Sequence, residues 1–218
     1  MIRVLLVDDH PVVRSGYLRL LEQAGDIQVV GEAGDGETAY AAFLAHRPDC
    51  LITDLSMSGG GGLELIRRVL CRNPEARALV FSMHDSTPVV QRALDTGARG
   101  YVSKGSAPEL LILAVRELHE GRRYLSPDLA RLLQQHQPQP EAALLAELSA
   151  REFETFRLLA QGHSVDDCAR ELKLSPKTIS NHQTSIKEKL GVATLAALAH
   201  LAMRHGVIGA PWAEGRAA

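Results

Sequence analysis

Several features that would assign this chain to a special class are missing from it. No stretch approaches the roughly 20 apolar residues that a membrane span requires, and no basic N-terminal segment precedes an apolar core of about 7–15 residues. A cytoplasmic protein is therefore expected. Cysteine is scarce: Cys50, Cys71 and Cys168 lie far apart, are odd in number and form no CxxC pair. That spacing argues against a disulfide framework and against a zinc site, and each is read as a small buried hydrophobe. A strong charge of either sign is absent too, the formal net charge being −2. Residues 1–125 hold 14 Lys and Arg against 16 Asp and Glu, whereas residues 148–210 hold 8 against 6, with four histidines. So mild a basic excess permits nucleic-acid binding without arguing for it.

What is present begins with 218 residues that are 45% hydrophobic, enough for one large or two small domains with an ordinary core. Apolar runs of strand length recur at IRVLLV (2–7), IQVV (27–30), CLIT (50–53), ALVFS (78–82) and GYVS (100–103). They are continuous, as suits strands buried on both faces of a parallel sheet, and segments of helical period separate them. Five βα units are expected, giving a doubly wound α/β sheet. Past residue 125 the chain changes character, and QQHQPQPEAA (134–143) has little to bury. Residues 126–147 are read as a linker. From Leu148 a small all-helical module follows, with Ser149 and Glu152 as a capping pair, Ser175 before Pro176 as a second helix start, and Gly162, Gly191 and Gly206 as stops. Residues 211–218 form a tail with Trp212 as its one anchor.

In an open parallel sheet, ligands bind outside the carboxyl ends of the strands. The first strand ends in Asp8 and Asp9, the third in Asp54, the fourth in Ser82, and Lys104 follows the fifth. With strand order 2-1-3-4-5, the first and third strands are neighbours and three carboxylates converge. At ~4 Å and an effective dielectric near 20, each like-charge pair costs about 4 kcal/mol. A divalent cation relieves it, and an all-oxygen ligand set suits Mg²⁺. Asp54 can then act as nucleophile toward a phosphoryl donor, with Lys104 neutralising phosphoryl oxygens and the Ser82 hydroxyl donating to the product. Singly, these residues also read as a helix cap, a polar strand end and a solvated lysine; their conjunction at one sheet edge carries the reading.

The segments DDHPVVRSGYLRLL, TDLSMSGGGGLELIRR, VFSMHD, ALDTGARGYVSKGSAPELLILAV and GRRYLSP resemble the receiver domain of bacterial response regulators over residues 1–125. The resemblance implies a flavodoxin-like five-stranded fold, Asp54 as phosphoacceptor, and Mg²⁺ held by Asp8, Asp9, Asp54 and the backbone carbonyl of Ser56. It also implies Ser82 as hydroxyl switch, Lys104 as phosphate partner and Tyr101 as aromatic switch, simple packing being the alternative for Tyr101. Ser58 stands where relatives carry proline, so the loop of four glycines that follows is expected to be unusually permissive.

Within the second module, SVDDCARELKLSPKTISNHQTSIKEKL has the rhythm of two helices joined by a short turn. Ile179, Ile186 and Leu190 form an inward stripe, while Lys177, Ser180, Asn181, Thr184, Lys187 and Glu188 share a polar face suited to a DNA major groove. A solvated helix face is the competing reading of that pattern. Residues 148–210 resemble the LuxR-type helix-turn-helix, and the pairing resembles NarL/FixJ-type regulators. This implies base contacts near Ser180, Asn181 and Thr184, and phosphate contacts near Lys177, Thr178, His182 and Lys187; His182 also fits a packed, hydrogen-bonded position. The final helix, TLAALAHLAMRH, suits a two-fold partner or burial in its own domain.

The function expected is that of a two-component regulator in which a sensor histidine kinase phosphorylates Asp54 and so controls binding to double-stranded promoter DNA, as a homodimer and without a membrane role. The alternative is a DNA-binding regulator that needs no phosphorylation and uses the first domain as a dimerisation scaffold. An enzyme is disfavoured. The glycine loop lacks the lysine of GxxxxGK[ST], since Leu63 and Glu64 follow it, and a phosphohydrolase would need a general acid where Ser56 stands. At most, self-phosphorylation from small donors and slow self-hydrolysis are expected.

Overall fold

Successive residues of a strand in a sheet covered on both faces serve opposite cores. Strand β1 (Ile2–Val7) shows the division. Ile2, Val4 and Leu6 join one cluster with Leu21, Leu111, Ala114 and Leu118, while Leu5 and Val7 join another with Ala39, Phe43, Leu65 and Val69. Burial on both sides is why the strands read as unbroken apolar runs.

The computed structural model describes residues 1–57, 61–135, 145 and 147–208. Three stretches on which expectations were placed therefore lie outside the described residues: 58–60 of the glycine loop, most of the Gln/Pro-rich linker, and the tail with Trp212. After β1 come α1 (Pro11–Gln23), β2 (Ile27–Ala33), α2 (Gly36–His46), β3 (Cys50–Thr53), α3 (Gly61–Arg72), β4 (Arg77–Ser82) and α4 (Thr87–Asp95). β5 (Gly100–Ser103), α5 (Glu109–His119), β6 (Tyr124–Leu125) and α6 (Pro127–Gln135) follow. The sheet order is β2-β1-β3-β4-β5-β6 and every neighbouring pair is parallel. Side chains of α1 and α5 cover one face, and those of α2 and α3 the other. Among the described residues no helix is long and apolar enough to cross a membrane.

Three expectations need correction. Cys71, in the last turn of α3, is exposed, unlike the buried Cys50 and Cys168. The sheet has six strands, not five: Tyr124 and Leu125 pair with Gly100 and Tyr101 at its edge. A two-residue, half-buried strand carries no periodic signal, so pairing with an already formed neighbour defines it. The segment 126–147 also does not begin as linker, because α6 occupies 127–135 and buries Leu129. Ser126 accepts the amide of Ala130 through its carbonyl, and Pro127 supplies the fixed φ that favours a first helical position.

The chain divides into two compact units, the first formed by Met1–Asp85 and Val90–His136. The helical unit contains α7 (Ala150–Ala160), α8 (Val165–Leu172), α9 (Pro176–Leu190) and α10 (Leu195–Arg204). Its helix starts follow the sequence signals. Ser149 and Glu152 form a reciprocal capping box on α7, Ser164 and Asp167 do the same on α8, and Ser175 caps α9 ahead of Pro176. Gly191 ends α9 at φ +64°, a left-handed conformation that glycine adopts without strain. Phe153, Phe156, Cys168, Leu172, Ile179, Ile186, Leu190 and Leu198 make the core.

Candidate functional site

The carboxyl ends of β1, β3, β4 and β5 bring together the acidic and basic residues expected there. Asp8 and Asp54 are buried, and the Lys104 ammonium sits between them, 2.6 Å from Oδ2 of each. Their other oxygens are held by main chain: His10 N donates to Asp8 Oδ1 at 2.8 Å, while Leu55 N and Ser56 N donate to Asp54 Oδ1 at 2.6 and 3.3 Å. Burial alone would lower the Lys104 pKa, yet the ion pairs with Asp54 and Asp8 outweigh it and the net shift is upward.

Asp9 differs from its neighbours. Burial, against a lowering contribution from His10 and with further raising by Asp54 and Asp8, lifts its carboxyl above the usual range. Its Oδ1 makes no hydrogen bond of acceptable geometry, although the His10 ring lies 2.7 Å away. One ligand atom from each of Asp8, Asp9, His10 and Asp54 falls within 4.8 Å of the others. With three carboxylates ionised, Lys104 offsets one charge and leaves two. The donor set, and an acidic oxygen without a proper partner, fit a divalent cation at this position.

Around this centre lies a cavity of about 290 Å³ lined by His10, Val13, Tyr17, Asp54, Ser56, Ser82, Met83, His84 and Lys104. The expected Ser82 and Tyr101 are both fully buried. Ser82 Oγ accepts the His84 amide at 3.4 Å, and the Tyr101 hydroxyl donates to the His84 carbonyl. Burial first, and then Asp54, push the Tyr101 hydroxyl pKa up, so it stays a donor. Ser56 places its amide on Asp54 and its hydroxyl 2.7 Å from His84 Nε2. Sequence reasoning passed over His84. The available signal was its position two residues past Ser82, at the same sheet edge.

Glycine at position 62 is dictated by close approach. A Cβ there would lie 2.0 Å from the Asp54 carbonyl oxygen and 2.9 Å from its carbon. The start of α3 therefore rests directly on the main chain of Asp54, fastened by a Gly62 N to Leu55 O bond of 3.1 Å.

In the helical unit, α9 presents Lys177, Ser180, Asn181, Thr184 and Glu188 outward, with Thr178 and Lys187 half-buried, over the buried stripe of Ile179, Ile186 and Leu190. The Ser180 and Thr184 hydroxyls donate to the carbonyls of Pro176 and Ser180, which leaves them as outward acceptors. Thr178 Oγ1 is 2.8 Å from the capping hydroxyl of Ser175. His182 turns inward, with Nδ1 3.2 Å from the Thr155 hydroxyl. Burial, aided by Arg151 and Lys189 and opposed by Glu152, holds its pKa below the usual histidine value. Of its two readings, the packed one matches this geometry. The bracing of α9 was not foreseen: buried Glu152 accepts Ser185 Oγ on Oε1 and Lys189 Nζ on Oε2, each at 2.6 Å.

Comparison with known proteins accounts for both arrangements. Residues 4–116 match the response regulator receiver domain family, and residues 146–202 match the luxR family of bacterial regulatory proteins. The chain is 37% identical over 212 residues to the response regulator UvrY of Escherichia coli K12, covering 96% of this chain and 97% of that protein. It is 42% identical over 201 residues to the transcriptional regulatory protein UhpA of Salmonella typhimurium, covering 92% and 97%. A solved structure of RcsB from Salmonella enterica, bound to promoter P1flhDC with the phosphomimetic BeF3−, aligns at a TM-score of 0.67 and 32% identity over 92% of this chain and 97% of that one. The chain belongs to the two-component response regulators that join a receiver domain to a LuxR-type DNA-binding domain.

Proposed function

We propose that Asp54 is the phosphoacceptor, that Mg²⁺ occupies the acidic cluster, and that the resulting aspartyl phosphate controls promoter binding by α9. The observation that carries this is the Lys104 ammonium shared between Asp8 and Asp54 at 2.6 Å beside a third, poorly partnered carboxylate. An Asp54 oxygen attacks the phosphorus of a phosphohistidine on the sensor kinase. The new O–P bond forms as the N–P bond breaks, and the electron pair returns to the imidazole. Mg²⁺ held by Asp8, Asp9, Asp54 and the Ser56 carbonyl supplies charge neutralisation for the phosphoryl oxygens. Lys104 moves from carboxylate to phosphoryl oxygen, and the Ser82 hydroxyl donates to another. Ser82 and Tyr101 both bond the His84 main chain, so a change at Ser82 is passed to Tyr101 through one short loop.

Base contacts are assigned to Ser180, Asn181 and Thr184, and phosphate contacts to Lys177, Thr178 and Lys187. His182 supports α9 from behind. Leu195 and Met203 stand exposed on α10, which supports a two-fold partner on DNA. We place the protein in the cytoplasm, where a kinase and a promoter are both accessible, and assign it no catalytic turnover beyond self-phosphorylation from small donors and loss of its own phosphate.

The test is binding to the DNA upstream of its own coding sequence, with and without acetyl phosphate, for wild type and Asp54→Asn. Wild type should gain one phosphoryl mass and bind more tightly. The variant should gain neither. Equal donor-dependent binding by Asp54→Asn would refute the gating role.

A further inference from the structure

Arg14, in the first turn of α1, is used twice. Its Nη1 donates to the main-chain carbonyl of Asp8 at 2.5 Å, and its Nε donates to Glu32 Oε2 at 3.1 Å. The Asp8 carbonyl belongs to the peptide group that joins Asp8 to Asp9. A donor fixed on that oxygen fixes the peptide plane, and with it the direction in which the Asp9 side chain leaves the chain. Asp8 has further restraints, since His10 N and Lys104 Nζ hold its two carboxylate oxygens. Asp9 Oδ1 meets the exposed His10 ring at 2.7 Å without a hydrogen bond of acceptable geometry, so the backbone carries the larger share of its aim.

Glu32 reaches Arg14 because β2 is irregular. The β1–β2 register runs Val4 with Val29 and then Leu5 with Gly31, which leaves Val30 as an extra residue. Ile27 and Val29 pack toward α1 and α5, whereas Ala33 packs toward α2 and α3. In a regular strand, residues 27, 29, 31 and 33 would share one face and Glu32 would point to the other. The extra residue reverses the faces and delivers Glu32 to the α1 side, where Arg14 meets it. A bulge of this kind weakens the ladder locally, and here it places one carboxylate.

We propose that Arg14, braced by Glu32, is a positioning residue of the cation centre: it aims the Asp9 carboxylate without touching the cation. The proposal rests on reading the acidic cluster as a Mg²⁺ site. Partners one layer behind metal ligands typically change affinity by about 10–100-fold when removed.

Isothermal titration of the full chain with MgCl2, in the absence of any phosphodonor, tests it on wild type, Arg14→Met, Arg14→Lys and Glu32→Gln, with thermal midpoints measured in parallel. Arg14→Met should bind Mg²⁺ roughly tenfold more weakly, Arg14→Lys should recover part of the loss, and Glu32→Gln should weaken binding in the same direction by less than Arg14→Met. A merely structural ion pair would shift the midpoints and leave the dissociation constants unchanged, and that result overturns the proposal. If Arg14→Met does not fold, Glu32→Gln carries the comparison, an unchanged constant again overturning it. Absence of Mg²⁺ binding by wild type would instead remove the cation site itself and the proposal with it.

Discussion

Replacing Gly62 by alanine is the sharpest available test of how α3 is seated on the phosphoacceptor. The added Cβ would sit 2.0 Å from the Asp54 carbonyl oxygen, and the neighbouring contacts at 2.9 and 3.0 Å are also to main chain. Real carbon–oxygen contacts need more than 3 Å, so something must move by over ~1 Å. Asp54 cannot move freely, because its amide bonds Val7 O at 3.0 Å and its carboxylate is tied to Lys104. Relief must come from α3, whose Leu63, Leu65, Ile66 and Val69 are buried. Overpacking of this kind costs about 1–3 kcal/mol, and loss of the Gly62 N to Leu55 O bond adds about 1 kcal/mol. Urea unfolding of Gly62→Ala should therefore show a loss of about 2–4 kcal/mol. Its phosphorylation by acetyl phosphate should slow, by up to about 100-fold if the shift of α3 drags the adjoining Asp54–Leu55 main chain by ~1 Å. Gly16→Ala is the matched control: Gly16 lies inside α1 with nothing within 4 Å of the added carbon, and should gain about 0.5–1 kcal/mol. Equal stabilities and phosphorylation rates for Gly62→Ala and wild type would refute the close-approach argument.

Lys104→Met leaves Asp8 and Asp54 buried without their shared cation and should destabilise the receiver by about 3–5 kcal/mol; added Mg²⁺ should restore more stability to this variant than to wild type in thermal melts. Glu152, held at a pKa of about 2 against burial by Lys189, Ser185 and Ser149, contributes stability that is complete above the unfolded carboxyl range and is lost as pH falls through about 2. Glu152→Gln should therefore destabilise the helical unit at pH 7 and flatten its melting curve as a function of pH between about 4.5 and 2. On DNA, Lys187→Ala should weaken binding to all sequences and lower the salt slope by about one, whereas Asn181→Ala should reduce discrimination between sites by about 1–3 kcal/mol with little change in slope. Titrations at several salt concentrations separate the two.

The legible part of the chain was the part written locally. Continuous apolar runs gave five strands, and the pairs Ser149 with Glu152 and Ser175 with Pro176 mark helix starts through bonds that span three residues. The convergence of Asp8, Asp9, Asp54, Ser82 and Lys104 followed from strand order, because all five sit at strand ends. What escaped depends on distant contacts. Strand β6 exists by pairing with β5, and α6 buries Leu129 although its Gln-rich end resembles spacer. Arg14 touches the site through a main-chain carbonyl, and His84 through its main chain as well as its ring, contacts that only the fold brings about. For His182 both readings were open in the sequence, and the choice between them depends on Thr155, which is 27 positions away.

The two outer strands of the sheet have one more consequence. β6 is two residues long, and β2 carries its extra residue in mid-strand. Short or bulged border strands offer few aligned amides and carbonyls for a foreign strand to zip onto. The receiver sheet is thereby protected against lateral growth into larger sheets, so that crowding of copies does not by itself extend it strand by strand.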